Sequence, residues 1–221
     1  MPSLAAQPRE AIDPALRVVD LQALGIHKDA RRFADQASGT EGVEHVFGAT
    51  LAFEKWETSY RTNSTTPIVR GDKIFVSTGY RRGCALFQLK GNSLGKIYES
   101  KNMSNHMNNS VLVDDYLYGF DGNVHMAGPK ELVCIRFSNG EEMWRNKSNL
   151  QVGSLIVANN RIIALGQRGE LAIAPASPKG FSPTVREQVI GGRCWTSPVL
   201  ANGFLYVRNS RGDLVCLDLR G

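Results

Sequence analysis

The chain has 221 residues, 42% of them hydrophobic and 21% charged, with 26 Lys and Arg against 21 Asp and Glu for a formal net charge of +5. That apolar share supports a packed core and excludes a chain that stays disordered. No run approaches the roughly 18 apolar residues of a membrane-spanning helix, and the basic groups are scattered rather than gathered with aromatics into the stripe that a nucleic-acid partner requires.

Residues 1–50 are written differently from the rest. They carry 5 basic and 7 acidic side chains, which leaves 21 basic and 14 acidic in residues 51–221. The opening MPSLAAQPREAIDPALRVV has no basic-then-apolar leader. DPALRVVDLQALG predicts a short helix, with Asp13 able to cap it, Pro14 suited to its first turn and Gly25 able to end it. HKDARRFADQASG predicts a second, polar helix ending at Gly39. Residues 1–50 are therefore expected to form an N-terminal extension, helical or disordered, that either docks on the main domain or a partner or stays loosely ordered.

From residue 51 a repeat sets in. Leu51–Thr58 reads as a strand around Trp56, and four copies of one three-strand text follow it. They align on a two-residue turn: Gly71-Asp72, Asp114-Asp115, Asn159-Asn160 and Asn202-Gly203, spaced by 43, 45 and 43 residues. Gly, Asp and Asn tolerate the positive φ of hairpin turns. A short apolar strand precedes each turn (PIV, SVLV, LIV, PVL), and an apolar pair follows it, from Ile74-Phe75 to Leu205-Tyr206. A third strand comes next each time: CALFQL, LVCIRF, LAIAPA and LVCLDL. Outer strands are visible around Tyr98 and Trp144, and more faintly around Arg186. Apolar residues on both faces suit strands sandwiched between neighbouring sheets. A period near 43 built of short strands is the signature of a β-propeller blade. The expected fold is all-β over residues 51–221, with about four blades of four-stranded antiparallel sheets in an incomplete propeller, preceded by the short helical or irregular segment. Leu205 and Leu217 should be neighbours in one blade, packed between sheets.

Two stretches carry a family resemblance. IRFSNGEEMW (Ile135 to Trp144) and SRGDLVCLD (Ser210 to Asp218) resemble the two halves of the pyrroloquinoline-quinone (PQQ)-like propeller repeat. The chain departs from that pattern where Phe137 stands in place of an Asp and where the third blade lacks its Trp. The resemblance implies one of two roles. The first is a non-catalytic binding or interaction scaffold, with a protein or small-molecule ligand on the propeller face and no cofactor. The second is the C-terminal part of a PQQ-dependent alcohol or polyvinyl-alcohol dehydrogenase. The adjacent cysteine pair such dehydrogenases often carry is missing, which favours the scaffold. Relatives are mostly exported, which implies an envelope or periplasmic setting.

The four cysteines, Cys84, Cys134, Cys194 and Cys216, form no CxxC, so a zinc site of the usual kind is not expected. Cys134 and Cys216 share one slot on central strands, which predicts small buried hydrophobes. Binding residues are expected on the loops that gather near the axis. The entry loops offer Asn63, His106, Asn108, Asn109, Arg193 and Trp195, and the middle turns Arg81, Arg82, Asp121, Arg168 and Arg211. For a quinone, Arg168 and Arg211 suit the carboxylates and Trp195 a stacking floor, with His106 and Asn109 beside them. A calcium ion needs clustered carboxylate and amide oxygens, and Asp121 and Asn109, the nearest candidates, are too few. The fourth blade stops after its third strand. Either Leu51–Thr58 pairs with LVCLDL and closes a four-bladed ring, or the repeats form an open arc. The arc is favoured, because the family it resembles usually has seven or eight blades, and its unpaired blade edges predict self-association.

Overall fold

The computed structural model describes residues 52–147 and 150–220. The two helices expected within residues 1–50 lie outside the described residues. Within them every regular element is a strand. Blade one is β1 (Ile68–Arg70), β2 (Lys73–Thr78), β3 (Gly83–Lys90) and β4 (Ser93–Ser100). Blade two is β5 (Val111–Val113), β6 (Tyr116–Asp121), β7 (Glu131–Arg136) and β8 (Glu142–Asn146). Blade three is β9 (Ser154–Ala158), β10 (Arg161–Leu165), β11 (Glu170–Pro175) and β12 (Val185–Gln188). Blade four is β13 (Val199–Ala201), β14 (Phe204–Arg208) and β15 (Leu214–Asp218). Each sheet runs in chain order and is antiparallel throughout; the first three have four strands and the last has three.

The four predicted hairpin turns sit where the sequence places them, closing β1–β2, β5–β6, β9–β10 and β13–β14. In the last two turns both central residues have positive φ: 47° and 55° at Asn159 and Asn160, 51° and 77° at Asn202 and Gly203. Gly71 and Asp114 are the left-handed residues of the first two.

Consecutive sheets bury their facing sides against one another. Phe75, Cys84 and Leu86 of blade one meet Leu117, Val133, Ile135 and Phe137 of blade two. Tyr118, Leu132 and Cys134 meet Leu155, Ile162 and Ala172 of blade three. Ile163, Leu165 and Leu171 meet Leu205 and Val207 of blade four, with Leu217 packed alongside. Leu205 pairs with Leu217 across β14 and β15, as expected. Full burial of side chains of this size contributes roughly 1.5–3 kcal/mol each.

The outer strands lock neighbours in a second way. Trp144 donates its indole N–H to Ser177 O of blade three at 2.8 Å and packs on Phe181. Tyr98 does the same work from blade one, lying on the β7–β8 turn at Gly140. A Cβ there would come within 2.5 Å of the Tyr98 ring, so only glycine lets the ring close on the turn. Register puts Val185 of β12 in the slot of Tyr98 and Trp144, and it is exposed. The departure at Phe137 also has a reason. Its side chain is fully buried between blades one and two and lies 4.5 Å under the Arg70 guanidinium, which also pairs with Asp115 at 3.0 Å.

Two expectations are overturned. Residues 52–58 form no outer strand; Trp56 packs on blade one instead, and the alternative of a ring closed on β15 falls with it, leaving the open arc that the sequence favours. It is 6% exposed and covers the outer face of blade one, packed with Val76, Ala85 and Phe87. Its Nε1–H donates to Thr78 Oγ1 at 2.8 Å, and the Arg82 guanidinium lies 3.6 Å over the ring. Arg82 is held in turn by Glu99, whose carboxyl is drawn down to about 2 by hydrogen bonds from Lys96 and Arg82. The ring therefore does not close through Trp56, and no sheet is closed among the described residues. The second correction concerns Cys216. It occupies the Cys134 slot in register, opposite Tyr206 as Cys134 is opposite Tyr118, yet it is exposed. Cys134 is covered by blade three, whereas among the described residues no sheet lies on that side of blade four. Val199 and Leu214 there are 58% and 67% exposed.

Leu205 tests the packing. Replacing it with Ala should lower unfolding free energy by about 2–5 kcal/mol, the usual range for a buried Leu. Urea unfolding would show this as a lower midpoint at unchanged slope; a loss under about 0.5 kcal/mol would contradict the assigned burial.

Candidate functional site

The loops entering each blade and those joining its two middle strands lie at one end of the sheets, and hydrogen bonds tie them together. Gly122 N–H donates to Ser104 O, and Ser104 N–H donates to Asp121 Oδ1. Gln167 N–H reaches Leu150 O, Cys194 N–H reaches Gln167 O, and Ser210 N–H reaches Arg193 O. Asn209 Nδ2 donates to Gly191 O and Asn108 Nδ2 to Gly153 O. The entry loop of each later blade is thus fixed on a neighbouring loop, so residues far apart in the chain are held in register.

These loops bring five rings into a row. Tyr60 and Tyr80 have centroids 4.6 Å apart, Tyr80 and His106 5.0 Å, His106 and His125 6.0 Å, and His125 and Trp195 5.7 Å. The last three contacts are edge-to-face, near 90°. Arg193 ends the row, its guanidinium 4.6 Å over the Trp195 ring. Tyr60 and His125 are exposed, Tyr80 and Trp195 half-buried, and His106 is buried beneath them. His106 fits there because position 79 is glycine: a Cβ would lie 2.8 Å from the imidazole.

The polar atoms around the row are unusual. His106 Nδ1, Asn105 Oδ1, Asn123 Nδ2, Gln167 Oε1 and Trp195 Nε1 are buried and make no hydrogen bond with another group of the chain. Buried polar atoms are nearly always paired, and these five, gathered on one set of loops, depart from that rule. Burial pushes the His106 pKa down, and the neighbouring His125 adds to that. Burial pushes the Asp121 carboxyl up, against the opposing pull of Arg145. Arg145 reaches Asp121 Oδ2 at 2.5 Å, Glu131 Oε2 at 3.1 Å and Glu142 Oε2 at 2.9 Å, and donates to Asn102 O at 2.9 Å.

Of the residues singled out in the sequence, His106, Trp195 and Arg193 belong to the row. His106 is a buried ring between two others. Asn109 ties the entries of β1 and β5, accepting from Thr66 N–H at 2.8 Å and donating to Thr66 Oγ1 at 3.2 Å. Arg168 and Arg211 have exposed side chains and are held by their backbones: Arg168 O accepts from Gln188 Nε2 at 2.8 Å, and Arg211 N–H donates to Asn209 Oδ1 at 2.9 Å. The row does not include them. Sequence reasoning missed Tyr60, Tyr80 and above all His125. The signal for His125 was length: residues 122–130 between β6 and β7 are longer than the corresponding turns of the other blades.

PQQ with a calcium ion is the group this fold family implies. Calcium takes about 6–8 oxygen ligands. Among the described residues no three His, Cys, Asp or Glu side chains gather into a metal-holding group, and both Asp121 oxygens are committed to Ser104 and Arg145. A ring stacking on Trp195 would meet the Arg193 guanidinium already over it. The described residues do not fit a calcium-bound quinone.

Sheets of four antiparallel strands repeated face to face, with the site on their loops, define a PQQ-like β-propeller protein. The chain belongs to the family described as outer membrane protein assembly factor BamB, which matches residues 54–221. No curated protein matches it. Among solved structures it is similar to BamB from Moraxella catarrhalis, with 17% identity and a TM-score of 0.52 over 70% of this chain and 42% of that one. A functionally unknown protein from Desulfotomaculum acetoxidans gives 11% identity and 0.56, over 70% and 51%. A quinohemoprotein alcohol dehydrogenase from Pseudomonas putida gives 14% and 0.50, over 71% and 32%. The chain thus spans about two fifths of the length of the Moraxella protein.

The depressed His106 pKa makes a pH test. A neutral buried imidazole with a lowered folded pKa contributes stability that is full above the unfolded value of about 6.5 and is lost as pH falls from there toward the folded value. Unfolding free energy should therefore drop below about pH 6.5, and H106F should flatten that part of the profile. An unchanged slope in H106F would contradict the assignment.

Proposed function

We propose that this chain is a non-catalytic interaction scaffold, part of an assembly factor for outer membrane proteins, whose loop face holds a polypeptide partner. The observation that carries the reading is the ring row, beside which five buried polar atoms lack a partner within the chain: rings offer apolar area to a partner at low entropy cost. The family match over residues 54–221 supports it. The same reading sets the protein in the cell envelope. The dehydrogenase alternative has the fold likeness to the alcohol dehydrogenase in its favour and the donor set of the site against it.

The test compares two properties of the purified protein. We expect saturable binding of an unfolded outer-membrane β-barrel protein, weakened at least tenfold by the double substitution Y80A/W195A. We expect no dye-linked alcohol oxidation with added PQQ and Ca²⁺. Turnover that vanishes on chelation and returns with calcium would overturn the proposal.

The side and the edge of blade four that no described residue covers supply a route to self-association. Cys216 lies there, while Cys84 and Cys134 are buried and their thiols are pushed up to about 12 by burial. Ellman's reagent should modify only Cys216 in dilute native protein, and more slowly as protein concentration rises. A rate independent of concentration, with a monomer by light scattering, would contradict association through this face.

A further inference from the structure

Beside the ring row, between the β2–β3 turn of blade one and the long β6–β7 loop of blade two, lies a cleft of about 410 Å³. That is within the range of small-ligand sites, roughly 300–1,000 Å³. Arg81, Lys101, Ser104, Asp121, Asn123 and Met126 are among its lining residues. We propose that this cleft is a carboxylate-binding subsite, and, resting on the scaffold reading, that it anchors an acidic group of the polypeptide lying on the row.

Asn123 carries the argument. It is 6% exposed. Its Oδ1 accepts the Tyr80 N–H at 2.7 Å, which settles which end of the amide is which. The other end, Nδ2, is a buried donor with no hydrogen bond to the chain, and it belongs to a residue lining the cleft. Two cations line the cleft with it. Lys101 Nζ donates to Arg81 O at 3.0 Å and Arg82 O at 2.8 Å, leaving one of its three N–H groups. Arg81 Nη2 donates to Ala127 O at 3.4 Å, leaving most of the guanidinium fork. The one acid in the lining, Asp121, is turned to other work: Ser104 N–H and Arg145 hold its two oxygens, and Arg145 also holds Glu131 and Glu142. The charged and amide side chains of the lining thus leave three donors uncommitted, two of them cationic, which is the chemistry of a carboxylate site. The cleft adjoins the row directly, since Arg81 follows Tyr80 and Met126 follows His125.

The test titrates the whole chain with succinate, with acetyl-Phe-Glu-Phe-amide, with its Gln counterpart, and with the Gln peptide bearing a free C-terminus. The readouts are the Asn123 side-chain amide signals by NMR and affinity by calorimetry. We expect succinate to shift those signals and the Glu peptide to bind at least tenfold tighter than the amidated Gln peptide. R81Q should abolish the preference while leaving the Gln peptide unchanged, and N123D, which keeps an acceptor for Tyr80 but turns the free donor into a charged oxygen, should abolish the preference too. Tight binding of the free-C-terminus peptide would make the chain terminus the source of the carboxylate. Succinate binding with no peptide binding would sink the scaffold reading and leave the subsite standing. Equal binding of the two amidated peptides, with Asn123 unmoved by succinate, would overturn the subsite and leave the scaffold. No response to any of the four would overturn both.

Discussion

A sheet that is apolar on both faces needs a neighbour on both sides, and the structure is arranged around that requirement. Phe75, Tyr118 and Ile163 hold equivalent positions, and each faces the next blade. Tyr98 and Trp144 extend the same contact to the outer strands. Where a neighbouring sheet is missing among the described residues, the two ends solve the problem differently. Blade one has Trp56, braced by Thr78 and Arg82. Blade four has Val199, Tyr206 and Cys216 on a side that meets solvent.

The loops inherit their order from this packing. Tyr60 and Trp195 are far apart in the chain, yet three rings between them suffice to join them, because each loop is fixed on a sheet that cannot slide. Rigidity is what allows buried polar atoms such as His106 Nδ1 and Trp195 Nε1 to remain without an internal partner: the surroundings are too well determined to collapse onto them. The same stiffness keeps Asn123 presented, with one end of its amide occupied by Tyr80 and the other free.

Much of the fold was legible in the sequence because it is written locally. Asn159-Asn160 and Asn202-Gly203 announce hairpins by their own backbone preferences, and Leu205 and Leu217 follow from the spacing on either side of a turn. What was not legible depends on neighbours. Trp56 sits in an apolar, alternating text that suits an outer strand; only the presence of an uncovered face on blade one turns it into a cover. Cys134 and Cys216 have the same local setting and opposite exposure, because burial there is decided by the adjacent sheet. The site divides the same way. His106 and Trp195 were visible as ring-bearing residues on entry loops, but His125 becomes their bridge only once blade two lies beside blades one and three. Arg168 and Arg211 suited carboxylates by residue type, yet it is the Arg168 carbonyl and the Arg211 N–H that find partners.

Because each described sheet packs its faces on the sheets beside it, stability in the sheets is distributed along a line. The blades do not share equally in it. Among the described residues, blades two and three are braced from both sides and blade one by Trp56, while blade four leans on blade three alone and ends in a strand with no further partner. Opening of the native state is then directional. Amide protons of β14 and β15 exchange through local detachment of the last blade, while those of β6 and β7 wait for the whole array to come apart. The row of rings straddles that gradient, with Tyr60 and His106 on the firmly held part and Trp195 on the loop that leads into the blade most ready to leave.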